Sequence, residues 1–162
     1  MNKKQIYEYL KEKHIGYEIT EHRAVFSMNE INEIDIPHPE ADAKNIFVRD
    51  KKKENYYLIT VKGNKRVDLK KFRAENGTSS LSFASAEELA DILQLMPGSV
   101  SPFGLLNDHE LKVKFFIDKD FMNDEHLIGI HPNENTATVW LKVENLIEII
   151  KENGNQVNLI EI

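Results

Sequence analysis

The sequence predicts an α+β fold, one domain in which a mixed β-sheet is flanked by helices. Strand-like and helix-like segments follow one another without the regular alternation of a doubly wound sheet. A chain of 162 residues, 41% of them hydrophobic, suits one compact domain spanning 1–162 with one sizeable core. No internal repeat or low-complexity tract interrupts it.

Lys3 to Lys13 places Ile6, Tyr9, Leu10 and His14 near a helical spacing and stops at Gly16, which predicts an amphipathic helix. Tyr17 to Thr20 reads as a short strand, and Ser27-Met28-Asn29-Glu30 as a capping box opening a short helix through about Ile34. Pro37 and Pro39 then force an extended crossing. Asn45–Arg49 and Tyr56–Val61 form a hairpin around the charged turn Asp50 to Asn55. Asp68 caps a helix running to about Glu75, with Asn76-Gly77 as its stop. Ser80–Phe83 is a brief strand, and Ser85 with Glu88 forms a capping box for a helix ending near Leu95. Leu111–Ile117, Leu127–Ile130 and Thr136–Leu141 supply further strands. A helix from Val143 to Glu152 leads into a last strand, Val157–Ile160.

Composition excludes several chemistries. The chain has no cysteine, so it has neither disulfides nor thiolate catalysis or thiolate metal sites. The N-terminal stretch carries charges every few residues and lacks the apolar core of a signal peptide or membrane span, which places the protein in the cytoplasm and off the membrane. None of the six histidines falls in a metal-binding pair with a third ligand at a familiar spacing, so no metal is expected. His109 and His126 read as exposed turn residues, and His131 opens a Pro/Asn turn between two strands.

The net charge of −6 hides an uneven distribution. From Lys44 to Arg73 there are eleven Lys and Arg against three acids, so this segment carries +8 and the remainder −14. Such a basic region on an acidic body suits a polyanion touching one place. Charge alone fits equally well a solvated lysine-rich hairpin and helix.

The stretch GSVSPFGLLND, Gly98 to Asp108, combines two glycines and a proline with Val, Phe and Leu. A segment such as Gly98–Gly104 can offer backbone N–H groups to a carbonyl oxygen or a phosphate, while its apolar residues anchor it to the core. A purely structural loop with buried anchors fits the same residues. Neither Ser99 nor Ser101 sits in a nucleophile elbow.

Five blocks in order resemble one known family. They are KNIFVRD from Lys44, GNKRVDLKK from Gly63, SFAS from Ser82 with Glu87-Glu88-Leu89, GSVSPFG from Gly98, and GIHPNENT from Gly129. They look like the blocks of the free-standing prolyl-tRNA editing proteins, which are similar to the insertion domain of bacterial prolyl-tRNA synthetase. The subgroup most resembled hydrolyses alanyl-tRNA(Pro). The resemblance implies an α+β deacylase that needs no metal or other cofactor. It implies Lys44 at the mouth of the pocket, holding the terminal phosphate or ester region, with Asn45 orienting the aminoacyl end. The loop with Gly98, Ser99, Val100 and Ser101 would supply donors to the ester carbonyl, and Gly129 with His131 would line the wall near the amino acid. The terminal ribose hydroxyl of the substrate would help activate water. Lys51, Lys52, Lys53, Lys65, Arg66 and Lys70 would meet the acceptor stem, and the partners implied are the acceptor end of tRNA(Pro) and prolyl-tRNA synthetase.

The need for such an enzyme follows from pocket physics. A synthetase site shaped for proline cannot strongly reject alanine, because each missing methylene is worth only about 1–3 kcal/mol. A second site that admits alanine but excludes the proline ring then hydrolyses the error alone. Phe26, Met28, Ile31, Phe47 and Phe103 are candidates for lining it. The same reaction on cysteinyl-tRNA(Pro) and a non-catalytic module binding aminoacyl-tRNA or a synthetase are the alternatives. A monomer or a weak homodimer held by charge is the expected oligomeric state.

Overall fold

The computed structural model describes residues 1–24, 36–123 and 125–162. Helix α1 (Lys3–Glu12) is closed by a capping box that the sequence reading did not single out: the Asn2 side chain accepts from the Gln5 amide, and the Gln5 side chain from the Asn2 amide. Its Ile6 and Leu10 are fully buried. The capping box expected at Ser27 and the helix through Ile34 lie outside the described residues.

Two sheets carry the chain. Five strands, β2 (Ala43–Asp50), β3 (Tyr56–Lys62), β4 (Leu81–Phe83), β5 (Val113–Asp118) and β8 (Val157–Ile160), run in the order β4-β2-β3-β5-β8. This sheet is mixed: β2 pairs antiparallel with β3 and β4, whereas β3–β5 and β5–β8 are parallel. Strands β1 (Tyr17–Glu21), β7 (Ala137–Lys142) and β6 (Leu127–Ile130) form a second, antiparallel sheet in that order. The α+β class with a mixed sheet is thus what the sequence predicts, and the separate small sheet is an addition to it. A single parallel bridge between Asp42 and Gly129 joins the backbone of the two sheets.

The caps predicted at Asp68 and Ser85 are present. Asp68 accepts from the amides of Lys70 and Lys71 at the start of α2 (Leu69–Asn76), and Ser85 with Glu88 closes the start of α3 (Ala86–Leu93). Helix α3 ends two residues earlier than predicted, because Gln94 takes a left-handed φ of 55° as its C-cap. Strand β5 also begins later than predicted. Asp108 accepts from the amides of Lys112 and Val113, folding 108–112 into a turn, with Leu111 left-handed. Helix α4 (Val143–Asn153) packs Leu146, Ile149 and Ile150 into the main core.

Alternation along the strands buries the larger sheet on both faces. Leu58, Phe115 and Ile117 enter the main core with α1, α4 and the small sheet, while Tyr57, Ile59 and Phe116 enter a second cluster closed by Phe72 of α2. Phe72 meets Phe116 edge-on at 4.9 Å, an arrangement favoured by the ring quadrupoles. Among the described residues no helix is long and apolar enough to cross a membrane.

Candidate active site

The small sheet turns Ile128, Ile130, Val139 and Leu141 toward the core, so alternation sends Gly129, Thr138 and Trp140 to its other face. Gly129 pairs directly with Trp140, and a Cβ on Gly129 would stand 2.3 Å from the indole Cζ3. Only a glycine lets the backbone lie on that ring. The indole Nε1 donates to Thr20 Oγ1 at 3.0 Å, which fixes the ring plane.

Two histidines extend this wall. The His131 Nδ1 lies 3.1 Å from the Ala137 carbonyl, an acceptor only, so Nδ1 carries the proton and Nε2 keeps its lone pair in the neutral ring. By the same argument His22 donates from Nδ1 to the Arg23 carbonyl at 2.7 Å and accepts at Nε2 from Thr138 Oγ1 at 3.0 Å. The two rings meet edge-on at 6.3 Å. Burial holds the His131 imidazole below its usual range, only partly opposed by the Ala137 bond, and His22 presses the same way. Near neutral pH His131 is therefore an uncharged base.

The Gly98 loop is tied to this wall. Ser101 Oγ donates to the His131 carbonyl at 2.5 Å and accepts from the Phe103 amide at 3.2 Å. Pro102, Phe103, Leu105 and Leu106 of the following 3-10 segment (Pro102–Asn107) are buried, which explains the apolar residues in a glycine-punctuated stretch. Its donor set is smaller than expected. Ser99 N–H goes to the Met96 carbonyl, Phe103 N–H to Ser101 Oγ and Gly104 N–H to the Ser101 carbonyl. Proline has none, so among the described residues the amides of Gly98, Val100 and Ser101 have no partner, and Ser101 is itself wholly buried.

Lys44 enters from the larger sheet. It lies two residues beyond Asp42, hence about 7 Å along the chain from the bridge to Gly129. The side chain is partly buried and, among the described residues, has no hydrogen-bond or ion-pair partner. Asn45 does not share its direction. Asn45 Oδ1 accepts from Thr60 Oγ1 at 2.5 Å, on the face of β2 and β3 that also carries Phe47 and Leu58, while Lys44 stands opposite Val61 on the other. Between the two sheets the Asp42 carboxyl is 7% exposed, and burial pushes its pKa up to about 7 against a bond from the Ala43 amide.

Of the other residues singled out as lining the pocket, Phe103 is wholly buried and Phe47 stacks on Tyr56 at 5.6 Å, so both are core residues instead. Phe26, Met28 and Ile31 lie outside the described residues. Lys51, Lys52 and Lys53 are exposed in the β2–β3 turn, roughly 24 Å along the strand from Lys44. Arg66, ahead of α2, and Lys70, in its first turn, are exposed. Lys65 differs from expectation: its ammonium is held internally by Asp118 at 2.9 Å and Asp120 at 2.5 Å, and by the Ile162 carbonyl at 3.0 Å. Trp140, Thr138, Thr20 and Asp42 were not singled out by the sequence reading. Among the described residues no cluster of three His, Asp or Glu side chains could hold a metal ion.

Ser101 thus ties the Gly98 loop to the backbone of His131, whose imidazole is neutral, and Lys44 is linked to this wall through the chain from the Asp42–Gly129 bridge. The model of the aminoacyl-tRNA editing domain matches residues 22–149. The chain belongs to the aminoacyl-tRNA editing domain family. It is 39% identical over 153 residues to the prolyl-tRNA editing protein ProX of Acetoanaerobium sticklandii, covering 94% of this chain and 93% of that one. It is 32% identical over 148 residues to the prolyl-tRNA synthetase associated domain-containing protein 1 of Mus musculus, covering 87% and 85%. A solved structure provisionally described as a trans-editing enzyme for prolyl-tRNA synthetase superposes with a TM-score of 0.69 at 18% identity, over 99% of this chain and 96% of that one, and so shares its fold. As a member of the editing domain family, the chain is an aminoacyl-tRNA deacylase, a hydrolase of the ester between amino acid and tRNA.

Proposed function

We propose that this editing domain acts in trans on mischarged tRNA(Pro), cleaving the ester of alanyl-tRNA(Pro), and that residues 1–162 do so as one cytoplasmic domain. The observation that carries the reading is the near full-length 39% identity to the prolyl-tRNA editing protein ProX. The geometry is compatible with it. Lys44, cationic and without a partner among the described residues, is free to engage the phosphate or ester region of the terminal adenosine. The amides of Gly98 and Val100, at exposed and partly exposed residues, are the donors left for the oxyanion that forms when water attacks the ester carbonyl. The substrate's terminal ribose hydroxyl helps orient that water, the uncharged His131 Nε2 takes its proton as the oxygen bonds to the carbonyl carbon, and the ribose ester oxygen leaves with that proton as its bond to carbon breaks.

The test is deacylation of tRNA(Pro) charged with labelled alanine, cysteine, serine or proline, with wild type and Lys44→Ala. Loss of alanine alone, slowed at least about 100-fold by the substitution, is the expected result, in the range of one lost electrostatic contact in an active site. Hydrolysis of cysteinyl-tRNA(Pro) in preference to alanyl-tRNA(Pro) would transfer the specificity to cysteine. No hydrolysis of any ester would sink the reading.

A further inference from the structure

Behind the His131 turn lies a second cleft, of about 560 Å³, within the usual size of small-ligand sites. The Gly98 loop supplies Ser99 to it, and the turn after His131 supplies Asn133 to Thr136. Five of its eleven lining residues are carboxamides, and none is Lys, Arg or His. The cations and anions of the lining are limited to the Met1 ammonium, which is engaged by Asn107 Oδ1, and the Glu134 carboxylate. A carboxamide sets a donor beside an acceptor, which is the complement of a nucleobase edge.

Two of these carboxamides are unusually placed. Asn133 is 8% exposed, its Nδ2 donates to the Met1 carbonyl at 2.9 Å, and its buried Oδ1 has no partner. An orphaned buried acceptor is disfavoured until a donor reaches it. Gln94 makes no side-chain hydrogen bond among the described residues. Met96, 74% exposed, stands on the rim and offers a flexible thioether to the face of a planar ring.

We propose that this cleft is a subsite for the unpaired nucleotide preceding the aminoacylated terminal adenosine, its base edge held by Gln94 and Asn133 and its face covered by Met96. The inference rests on the editing reading. A base of the CCA end that offers an exocyclic amine would satisfy the Asn133 oxygen, while the terminal adenosine lies toward His131 on the other side of the turn.

Titration of ¹⁵N-labelled protein with the trinucleotide CCA, and with CCA lacking its middle base, tests it. The side-chain amide signals of Gln94 and Asn133 are expected to move with CCA, with at least about fivefold weaker apparent affinity for the abasic form, the lower end of what stacking of one base contributes. Movement confined to the neighbourhood of Lys44 and His131, equal for both oligonucleotides, would overturn the subsite and leave the editing reading standing. No movement at Gln94 and Asn133 at millimolar CCA would overturn it as well, while alanyl-tRNA(Pro) hydrolysis, measured separately, decides the editing reading.

Discussion

Gly129 lies so closely on Trp140 that the space for a Cβ is already occupied by the indole, with Cζ3 at 2.3 Å from that position. The glycine is therefore a packing requirement of the wall as well as an opening in it. Gly129→Ala must push the ring or the strand, and overpacking of this kind costs about 1–3 kcal/mol. Trp140 is the chain's one tryptophan, so the displacement reads directly as a change in intrinsic fluorescence alongside the lowered denaturation midpoint. Unchanged emission and stability would show that the strand yields without moving the indole.

Ser101 ties the Gly98 loop to the His131 carbonyl. Ser101→Ala leaves that carbonyl and the Phe103 amide without their hydroxyl partner in a buried place, with an expected loss of about 1–3 kcal/mol in urea unfolding. Deacylation should fall further than stability alone explains at temperatures where the variant is folded. Full activity in a folded variant would show that the loop holds its place without the strut.

Asp42 and His131 give opposite pH dependences. The Asp42 carboxyl is raised by burial from 3.8 to about 7, so between those values the unfolded chain has released a proton the folded chain keeps. Stability from this group falls as pH rises from about 4 to 7. The His131 imidazole is lowered by burial, so the unfolded chain takes up a proton first as pH drops through 6.5, and stability from it falls in that direction. Asp42→Asn should remove the first slope, gaining up to about 4 kcal/mol at pH 7 relative to pH 4 compared with wild type. Unfolding midpoints measured across this range would show parallel curves if Asp42 is ionised throughout.

Glu88 joins three elements. It accepts from Tyr56 Oη at 2.7 Å and from Arg49 Nε at 3.2 Å, and caps the Ser85 amide at 3.1 Å. Burial pushes its carboxyl up, yet the bonds from Tyr56, Ser85 and Arg49 outweigh this and hold it at about 2. Its contribution is present above pH 4.5 and lost as pH falls toward 2. Glu88→Gln should lower stability at pH 7 by on the order of 3 kcal/mol and reduce the acid sensitivity below pH 4.5. A loss that is the same at pH 2.5 and pH 7 would assign the effect to packing.

The lysines of the basic segment should separate into two kinds. Replacing Lys51, Lys52 and Lys53 with Gln is expected to weaken tRNA binding and reduce the salt slope of log K by roughly 1 to 3, without loss of stability. Lys65→Gln should leave that slope alone and instead destabilise the fold by about 1–3 kcal/mol, because Asp118, 1% exposed, loses its cation. A salt slope altered by Lys65→Gln would return that lysine to the binding face.

This separation also marks what a sequence can and cannot disclose. Caps at Asp68 and Ser85 were legible because a capping residue acts on amides two or three positions away. The Lys65 ion pairs were not, since Asp118 and Asp120 lie more than fifty residues on and nothing local marks them. The strand at 137–142 was legible from its apolar run, but its pairing with β1 and β6 was not, so Thr138, Trp140 and Thr20 went unrecognised as a wall. The glycine loop and the Pro/Asn turn at His131 were legible from their own residues, and Gly129 through the family resemblance, while the tie between loop and turn through Ser101 depends on a contact thirty residues apart.

The seam between the two sheets has a consequence for the timing of synthesis. Lys44 is made early, whereas Gly129 and His131 come from β6 and the turn after it, and β1 finds its partner strand only once residues 137–142 have emerged. The small sheet, and with it the bridge to the larger one, is therefore complete only in a chain that has been made through residue 142.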